Sequence, residues 1–332
     1  MSANTTIAWT DMSWNPIRGC SRVSSGCKHC YAESLAGRFS GRGQPYEGLV
    51  RKTTTGFRWT GFVALISKDL DLPLRWKKPR RIFVASMSDP FHGGVPDAFL
   101  DQMFAVMALA DQHQFQLLTK RPERMRAYLS DADLPQRLRH IAVPHSNGSN
   151  SYLGQTFATT PGCWPLPHLW CGVSVENQAT ADQRIPWLLQ TPAVVRFVSY
   201  EPALEVVHFN MLADGSWHDP EGAQYYDALR GTSWWSNGDH GVAGPGLDWI
   251  ICGGESGPKA RPCEVAWLRN TVQECQVAGV ACFVKQLGSY PRGWSGLQFV
   301  HDRKGADPSE WPDDLRVQQF PACALVASCA HF

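Results

Sequence analysis

The chain has 332 residues, of which 43% are hydrophobic and 18% are charged, and its formal net charge is +1. This composition is typical of a packed globular protein and excludes a disordered or polycationic one, so any contact with nucleic acid has to be local. The sequence shows neither a signal peptide nor an apolar run of the ~18 residues that a membrane span needs, so we expect a cytoplasmic protein without a membrane partner. In a reducing compartment its 11 cysteines, an odd number, are not expected to form a disulfide framework.

Six short apolar segments, rich in β-branched and aromatic residues, predict buried strands. None of them alternates between apolar and polar positions, which is typical of parallel strands that are covered on both faces. In chain order the segments are RIFVASMSD (81–89), FQLLTK (115–120), LWCGVSVEN (169–177), VVRFVSYEP (194–202), LDWIICGGES (247–256) and VACFVKQLG (280–288).

Helical segments lie between these strands. In DAFLDQMFAVMALADQ (97–112) the apolar residues Phe99, Met103 and Met107 recur at helical spacing, and EVAWLRNTVQECQVAG (264–279) has the same pattern before a glycine stop. We interpret both apolar faces as core packing. Alternating strands and helices predict an α/β fold whose βα units form a partial (β/α)6 TIM-like barrel.

Two long stretches interrupt this alternation and predict inserted loops. Residues 143–168 are rich in Ser, Asn, Gly and Pro, and residues 213–246 mix turn residues with aromatic ones. Loops of this length commonly shape access to the site of a barrel. We therefore predict a barrel over residues 1–290 with these two insertions, followed by a C-terminal extension over residues 291–332 without an assigned role.

Three cysteines, Cys20, Cys27 and Cys30, fall within eleven positions. Free thiols this close together in a reducing compartment indicate metal or redox chemistry more often than core packing. They form an incomplete tetrahedral zinc site, which His29 or Cys163 could complete. They also suit an iron–sulfur cubane in which three irons bind cysteine and the fourth stays open for another ligand. The spacing favours the cluster and leaves zinc as the alternative.

Polar residues stand at the carboxyl ends of the predicted strands, where a barrel has its site. Carboxylates buried there need partners, and these are either ligands of the site or members of a structural ion-pair network. The polar groups are Ser174, Glu176, Ser199 and Glu201, and the cations that could either pair with them or hold a substrate anion are Lys120, Arg121, Arg261 and Lys285.

Two short basic stretches, RWKKPRR (75–81) and KRPERMR (120–126), are candidates for contact with a phosphate backbone. Trp76, Trp234 and Trp235 are candidates for stacking on bases. The alternative is that both stretches are solvated surface.

The motifs together resemble the radical S-adenosylmethionine superfamily, and in particular a phage-associated branch with little-defined activity. The usual cluster loop has cysteines separated by three and two residues, with an aromatic residue before the last one. Here the first gap is six residues and His29 occupies the aromatic position. The resemblance covers residues 5–290 and is carried by IAWTDMSWNPIRGC, CKHCYAE, SMSDPFH, LLTKRP, GVSVENQ, RFVSYEP, GGESGPKARP and FVKQLG.

The resemblance implies that the three cysteines ligate a [4Fe-4S] cluster and that S-adenosylmethionine chelates the open iron. One electron from the cluster would cleave the sulfonium C–S bond and give a 5′-deoxyadenosyl radical that abstracts hydrogen from the substrate. The resemblance places His29 and Tyr31 beside the cofactor. Ser86, Ser88 and Asp89 would bind its amino group, although Asp89 is also placed to cap the turn before Pro90.

The remaining site residues come from the later strands. Ser174, Glu176, Ser199, Glu201, Gly253 and Gly254 are assigned to the cofactor site, and Glu255 and Lys285 are assigned to catalysis. GGES (253–256) is similar in letters to the glycine-glycine-glutamate motif of the superfamily, but it follows the sixth strand rather than the second. The amino-group role is therefore not transferred to Glu255, for which a solvated strand-to-helix turn is the alternative.

The expected function is hydrogen abstraction from an unknown substrate, and the phage association makes a nucleotide or a DNA base a candidate, in modification or repair. The reaction requires an external electron donor of the flavodoxin or ferredoxin type. The expected location is the host cytoplasm if a phage encodes the chain. The alternative function is a non-catalytic protein in which zinc or an iron–sulfur cluster stabilises a loop and the basic stretches bind nucleic acid.

Overall fold

The computed structural model describes residues 5–144, 148–154, 162–213, 225–234, 240–294 and 301–322. Parts of both predicted insertions, Trp235, the side chain of Trp234 and parts of the C-terminal extension lie outside the described residues.

A seven-stranded sheet organises the chain, and its strands neighbour one another in the order in which the chain reaches them. The register is parallel between β1 and β2, β2 and β3, β5 and β6, and β6 and β7. The strands are β1 (Met12–Trp14), β2 (Arg81–Val84), β3 (Gln114–Thr119), β4 (Leu169–Val175), β5 (Val195–Tyr200), β6 (Trp249–Gly253) and β7 (Ala281–Gln286).

The sequence-based prediction of a mixed α/β fold with parallel strands is confirmed. All six predicted strands form. Ser174, Ser199 and Lys285 lie within their strands near the carboxyl ends, whereas Asp89, Glu176, Glu201 and Glu255 lie in the loops that follow. The edge strand β1 was not predicted, because three residues are too few to produce a hydrophobic pattern. Burial explains the continuous apolar runs, since every residue of β4 and β6 is buried.

Seven α-helices accompany these strands in the described part of the chain. They are α1 (Tyr31–Gly37), α2 (Leu72–Arg75), α3 (Asp97–Leu109), α4 (Pro122–Leu129), α5 (Leu134–Arg139), α6 (Gln178–Leu189) and α7 (Val265–Ala278). Phe99, Met103 and Met107 of α3 are buried, which confirms core packing. The predicted glycine stop of α7 is also confirmed, because Gly279 has a φ of 73°, in the left-handed region. Among the described helices, none has the length and apolarity to cross a bilayer.

Small antiparallel sheets fill the segments that were predicted as loops. The second insertion contains the four strands Leu212–Ala213, Tyr225–Asp227, Thr232–Trp234 and His240–Ala243, and the first contains the pair Val143–Pro144 and Asn150–Ser151. Outside the two insertions, Ile17–Arg18 pairs antiparallel with Ala64–Leu65 and Val50–Thr53 with Gly56–Trp59, and Cys263–Glu264 pairs parallel with Pro291–Arg292. The sequence did not predict these short strands, because strands this short are specified by pairing rather than by periodicity.

The chain divides into two compact units. Of the described residues, unit 1 includes those up to 171 and 191–194, and unit 2 includes 172–190 and those from 195 onward. The division falls within β4, whereas the sequence pattern predicted a boundary near residue 290.

Aromatic side chains fill the core of each unit. In unit 1 the ring centroids of Trp14 and Phe115 are 6.0 Å apart, and both side chains are fully buried. In unit 2 the rings of Phe197 and Trp249 are 5.6 Å apart. A side chain on Gly172 of β4 has no room there, since an added Cβ atom would lie 2.5 Å from the ring of Phe197.

We expect Gly172→Ala to lower the free energy of unfolding by about 1–3 kcal/mol, because the methyl group overpacks the core against Phe197. Urea denaturation measures this change. Gly93→Ala is the matched control, since no atom lies within 4 Å of its added Cβ atom. Equal stabilities of the two variants would contradict this description of the core.

Candidate functional site

The three cysteines lie on a loop of unit 1 between the strand Ile17–Arg18 and α1. Cys27 ends a short 3₁₀ turn, Cys30 is the N-cap residue of α1, and all three thiols are free and partly buried. The loop begins at Gly19, whose φ is 90°, and an added Cβ atom would lie 2.3 Å from the carbonyl oxygen of Phe62. The close backbone approach therefore requires glycine before the first cysteine.

A buried carboxylate attaches the cysteine loop to α1. Arg22 Nε lies 2.9 Å from Glu33 Oε1, and Arg22 Nη2 lies 2.5 Å from Glu33 Oε2. Glu33 Oε1 also accepts the backbone N–H of Trp59 at 3.0 Å. The sequence analysis did not select Glu33. Its position three residues after Cys30, in CYAE, was the signal that a carboxylate contacts this loop.

Asp89, in the segment that follows β2, accepts hydrogen bonds from four donors. Its Oδ1 accepts Thr119 Oγ1 at 2.7 Å and the N–H of Phe91 at 3.0 Å. Its Oδ2 accepts the N–H of Lys120 at 3.1 Å and Arg121 Nη1 at 2.7 Å. Asp89 thus caps the turn at Pro90, as the alternative interpretation held, and it also pairs with Arg121, a contact that the sequence analysis did not predict.

Arg121 links this carboxylate to the cysteine loop. Its Nη2 donates to the carbonyl oxygen of Ser21 at 3.1 Å and to Ser21 Oγ at 2.8 Å, and its Nη1 lies 3.9 Å from Cys20 Sγ. Ser21 Oγ also lies 2.9 Å from His92 Nε2. One guanidinium group therefore contacts both the acidic residue and the first cysteine.

Burial changes the proton affinity of the side chains in this network. It raises the pKa of the Cys20 thiol to about 12; the charge of Asp89 adds to this shift and Arg121 opposes it. Burial likewise raises the pKa of Cys30. Burial, aided by the charge of Arg121, lowers the pKa of His92, so its imidazole is neutral at pH 7.

The SMSD segment contacts the same loop. Ser88 Oγ donates to the carbonyl oxygen of Gly19 at 2.5 Å, and Tyr31 Oη donates to that of Ser86 at 2.6 Å. Ser86 Oγ donates to Asn15 Oδ1 at 3.1 Å. Ala85, just before the segment, has a φ of 57°, a strained conformation for a residue with a Cβ atom.

Contacts connect five of the predicted site residues of unit 1. Arg121 contacts both Cys20 and Asp89, Ser88 contacts the backbone of the cysteine loop, and Tyr31 contacts the backbone of Ser86. Cys27, His29 and Cys30 share the cysteine loop with Cys20.

The three sulfur atoms do not all lie within 4.8 Å of one another. Three thiolates on one zinc ion would be about 3.8 Å apart, given a Zn–S bond of about 2.3 Å, so the loop is not shaped around a single ion. Three thiols are donors of the kind that an iron–sulfur cluster binds, but the cysteines are not arranged as a cluster site in this structure. Within the described residues, the one group of three such donors inside 4.8 Å is His301, Asp307 and Glu310.

Four of the predicted residues of unit 2 meet at the ends of β5, β6 and β7. Lys285 Nζ lies 3.0 Å from Glu201 Oε1, and Ser199 Oγ lies 3.4 Å from Glu201 Oε2. An added Cβ atom on Gly253 would lie 3.1 Å from Glu201 Oε1 and 2.8 Å from the carbonyl oxygen of Gln286. The sequence thus located a carboxylate and its cationic partner.

The other predicted residues of unit 2 have structural partners. Glu255 is 7% exposed, and Arg261 binds it through Nη2 at 2.7 Å, Nε at 3.0 Å and its backbone N–H at 2.9 Å, which contradicts the alternative of a solvated turn. An added Cβ atom on Gly254 would lie 2.3 Å from the carbonyl oxygen of Leu287. This glycine therefore allows two backbones to approach.

Glu176 and Ser174 form a separate buried group. Glu176 is fully buried, and its Oε2 lies 3.0 Å from Arg184 Nη1 of α6, which also donates to the carbonyl oxygen of Ser174 at 2.6 Å. Arg184 was missed because its position on a helix gave no hint of the partner.

The arginines of the two predicted basic stretches mostly pair within unit 1. Arg75 pairs with Asp71, and Arg81 Nη2 lies 3.0 Å from Asp11 Oδ1. Arg124 likewise pairs with an aspartate, and Arg121 is committed to Asp89. Lys77, Lys78 and Arg80 stay exposed.

Fold and site define an α/β protein with a parallel sheet and a braced three-cysteine loop. The family model described as "Protein of unknown function (DUF5131)" matches residues 4–314, and the chain belongs to this family. No curated protein and no solved structure matches the chain.

We expect Glu176→Gln to lower the free energy of unfolding by about 3–5 kcal/mol, because it leaves the buried guanidinium of Arg184 without a counter-charge. Chemical denaturation measures this loss. The control is Asp314→Asn in the exposed pair with Arg269, where the expected loss is below about 1 kcal/mol. If the free energy of unfolding fell as little as in the control, the ion pair would not have a structural role, and a role of Glu176 in binding would be favoured.

Proposed function

We propose that this chain is a radical S-adenosylmethionine enzyme in which the sheet forms a partial (β/α)6 barrel and Cys20, Cys27 and Cys30 ligate a [4Fe-4S] cluster. The observation that carries the proposal is the set of three free, partly buried thiols on one loop that Arg22, Glu33 and Arg121 brace. A loop held this firmly without a disulfide is suited to present thiolates to a metal.

When bound, the cluster supplies one electron that cleaves the sulfonium bond of S-adenosylmethionine and yields a radical for hydrogen abstraction. The protein chain would hold the cofactor in position and exclude water from the site. Cys20 and Cys30 pack against a buried core that includes Ala36, Tyr46 and Trp59. This core shields the thiols of Cys20 and Cys30 from water on one side of the loop.

Arg121 is proposed to stabilise Cys20 as a thiolate. Burial opposes ionisation of this thiol, whereas the guanidinium 3.9 Å away favours it. Asp89 holds the guanidinium in place through Oδ2. Since Asp89 already accepts four donors, we assign it this positioning role rather than a direct contact with the cofactor.

The amino group of S-adenosylmethionine is proposed to bind the hydroxyl groups of Ser86 and Ser88. Each hydroxyl donates its hydrogen within unit 1, to Asn15 Oδ1 and to the carbonyl oxygen of Gly19. The oxygen lone pairs stay available to an ammonium group, because a hydroxyl both donates and accepts. His29 and Tyr31, on either side of Cys30, are proposed to border the same cofactor.

The ion pair of Glu201 and Lys285 is the proposed catalytic pair of unit 2, with Ser199 and Gly253 beside it. Glu255, which the sequence assigned to catalysis, is held by Arg261, and we propose that it positions this arginine for a substrate anion. A nucleotide or DNA base is the proposed substrate, and a flavodoxin- or ferredoxin-like protein of the cytoplasm is the proposed electron donor.

Anaerobic reconstitution of the full chain is expected to give about four irons per chain and, with dithionite and S-adenosylmethionine, 5′-deoxyadenosine. Alanine at Cys20, Cys27 or Cys30 is expected to abolish both, because each removes one iron ligand. Iron analysis, the visible spectrum and chromatography of the nucleoside measure the outcome.

Cys263→Ala is the matched control, since this buried thiol lies outside the loop and its loss is expected to leave iron content and cleavage unchanged. Stoichiometric zinc without deoxyadenosine would refute the enzyme and support a metal-stabilised binding protein instead.

A further inference from the structure

A two-stranded hairpin beside the cysteine loop carries two arginines on its outer face. Val50–Thr53 pairs with Gly56–Trp59, and the register sets Val50 opposite Trp59 and Arg51 opposite Arg58. Successive residues of a strand point to opposite faces. Val50 and Trp59 are buried, so Arg51 and Arg58 lie together on the exposed face.

Folding does not explain this pair of arginines. Like charges directly opposite each other on an antiparallel pair are destabilising. Neither arginine forms an ion pair with any of the described residues, and the same holds for Arg38, Arg42 and Lys52 nearby. Residues 34–67 contain these five basic residues and a single acidic one, Glu47. The local charge is thus strongly positive in a chain that is nearly neutral overall.

Exposed aromatic rings flank the hairpin in the chain. Phe39, which follows Arg38 at the end of α1, is 42% exposed, and Phe62, three residues after the hairpin, is 71% exposed. Surfaces that bind single-stranded nucleic acid typically combine unpaired cations with exposed aromatic rings. The cations contact phosphates, and the bases stack on the rings.

The hairpin and the cysteine loop share one core. Val50 and Trp59 belong to the buried cluster against which Cys20 and Cys30 pack. The ring of Phe57 fills the space beside Gly37, where an added Cβ atom would lie 2.2 Å from it. The inner face of the hairpin thus packs against the core of the cysteine loop, and its outer face, which carries Arg51 and Arg58, points away from that core.

We propose that the outer face of this hairpin, defined by Arg51 and Arg58, binds single-stranded nucleic acid, with Arg38, Phe39, Arg42 and Phe62 in the flanking chain as further contacts. The basic stretches at 75–81 and 120–126 are less suited, because most of their arginines already pair with aspartates. The inference that this surface docks a polymeric substrate rests on the proposed function. The binding of nucleic acid itself does not require the cluster.

The test is fluorescence anisotropy of the full chain with a labelled single-stranded DNA of roughly 20 nucleotides. Arg51→Glu/Arg58→Glu is expected to weaken binding at least about tenfold, because two phosphate contacts become repulsive. The slope of log Kd against log salt is expected to fall by about 1.4, since each phosphate on a single strand contributes about 0.7.

Lys77→Glu/Lys78→Glu is the control, since it reverses the same number of charges on another exposed stretch of unit 1, and it is expected to bind within about twofold of the parent. Equal weakening by both variants would overturn the proposal, as would unchanged binding by the hairpin variant or tighter binding of duplex DNA than of the single strand.

Arg51→Glu alone separates binding from folding. It places a carboxylate opposite Arg58, so the melting temperature is expected to rise while the affinity for DNA falls. A lower melting temperature would contradict the interpretation of the arginine pair. The two proposals can fail separately. DNA binding by Cys20→Ala, which is expected to lack iron, supports the surface independently of the cluster, whereas iron and cleavage in the parent chain without DNA binding support only the enzyme.

Discussion

The ion pair between Asp89 and Arg121 is the contact on which the geometry of the cysteine loop depends. Asp89 follows β2 and Arg121 follows β3, two strands in parallel register, so the sheet brings their carboxyl ends together. From there the guanidinium reaches Ser21 and Cys20. The loop is thereby attached to the ends of β2 and β3, so the sheet helps to set the position of Cys20.

Burial and charge act in opposition at this site. Withdrawal from water raises the pKa of Cys20, and the neighbouring arginine partly reverses that effect. The same guanidinium, together with burial, keeps His92 neutral. A half-buried cation that contacts an acid, a thiol and a loop carbonyl suits the proposed site, which would present a sulfur to a metal and exclude water. In unit 2, Glu201 and Lys285 likewise form an ion pair at the end of a buried strand, where each charge is the counter-charge of the other.

Much of the fold could be predicted from the sequence, because buried parallel strands leave continuous apolar runs that need no knowledge of partners. Strand β1 and the small antiparallel sheets could not, since two or three residues carry no periodicity and form only when a partner strand is in place. For the site, residue type and position near the end of a strand were sufficient to select Asp89, Arg121, Glu201 and Lys285 as candidates, but not to predict which carboxylate pairs with which cation. They were not sufficient for Glu33 or Arg184, whose importance comes from a partner that the chain reaches only by folding.

The sequence by itself determined the alternation of strands and helices, the three-cysteine spacing and the polar residues that end the strands, because these are properties of short segments. Only the tertiary structure decided which charges are committed to partners. Arg75, Arg81 and Arg124 neutralise aspartates, whereas Arg51 and Arg58 face each other without one. The reason is physical: a side chain's electrostatic role depends on the atoms within a few ångströms of it, and most of those belong to residues far away in the chain.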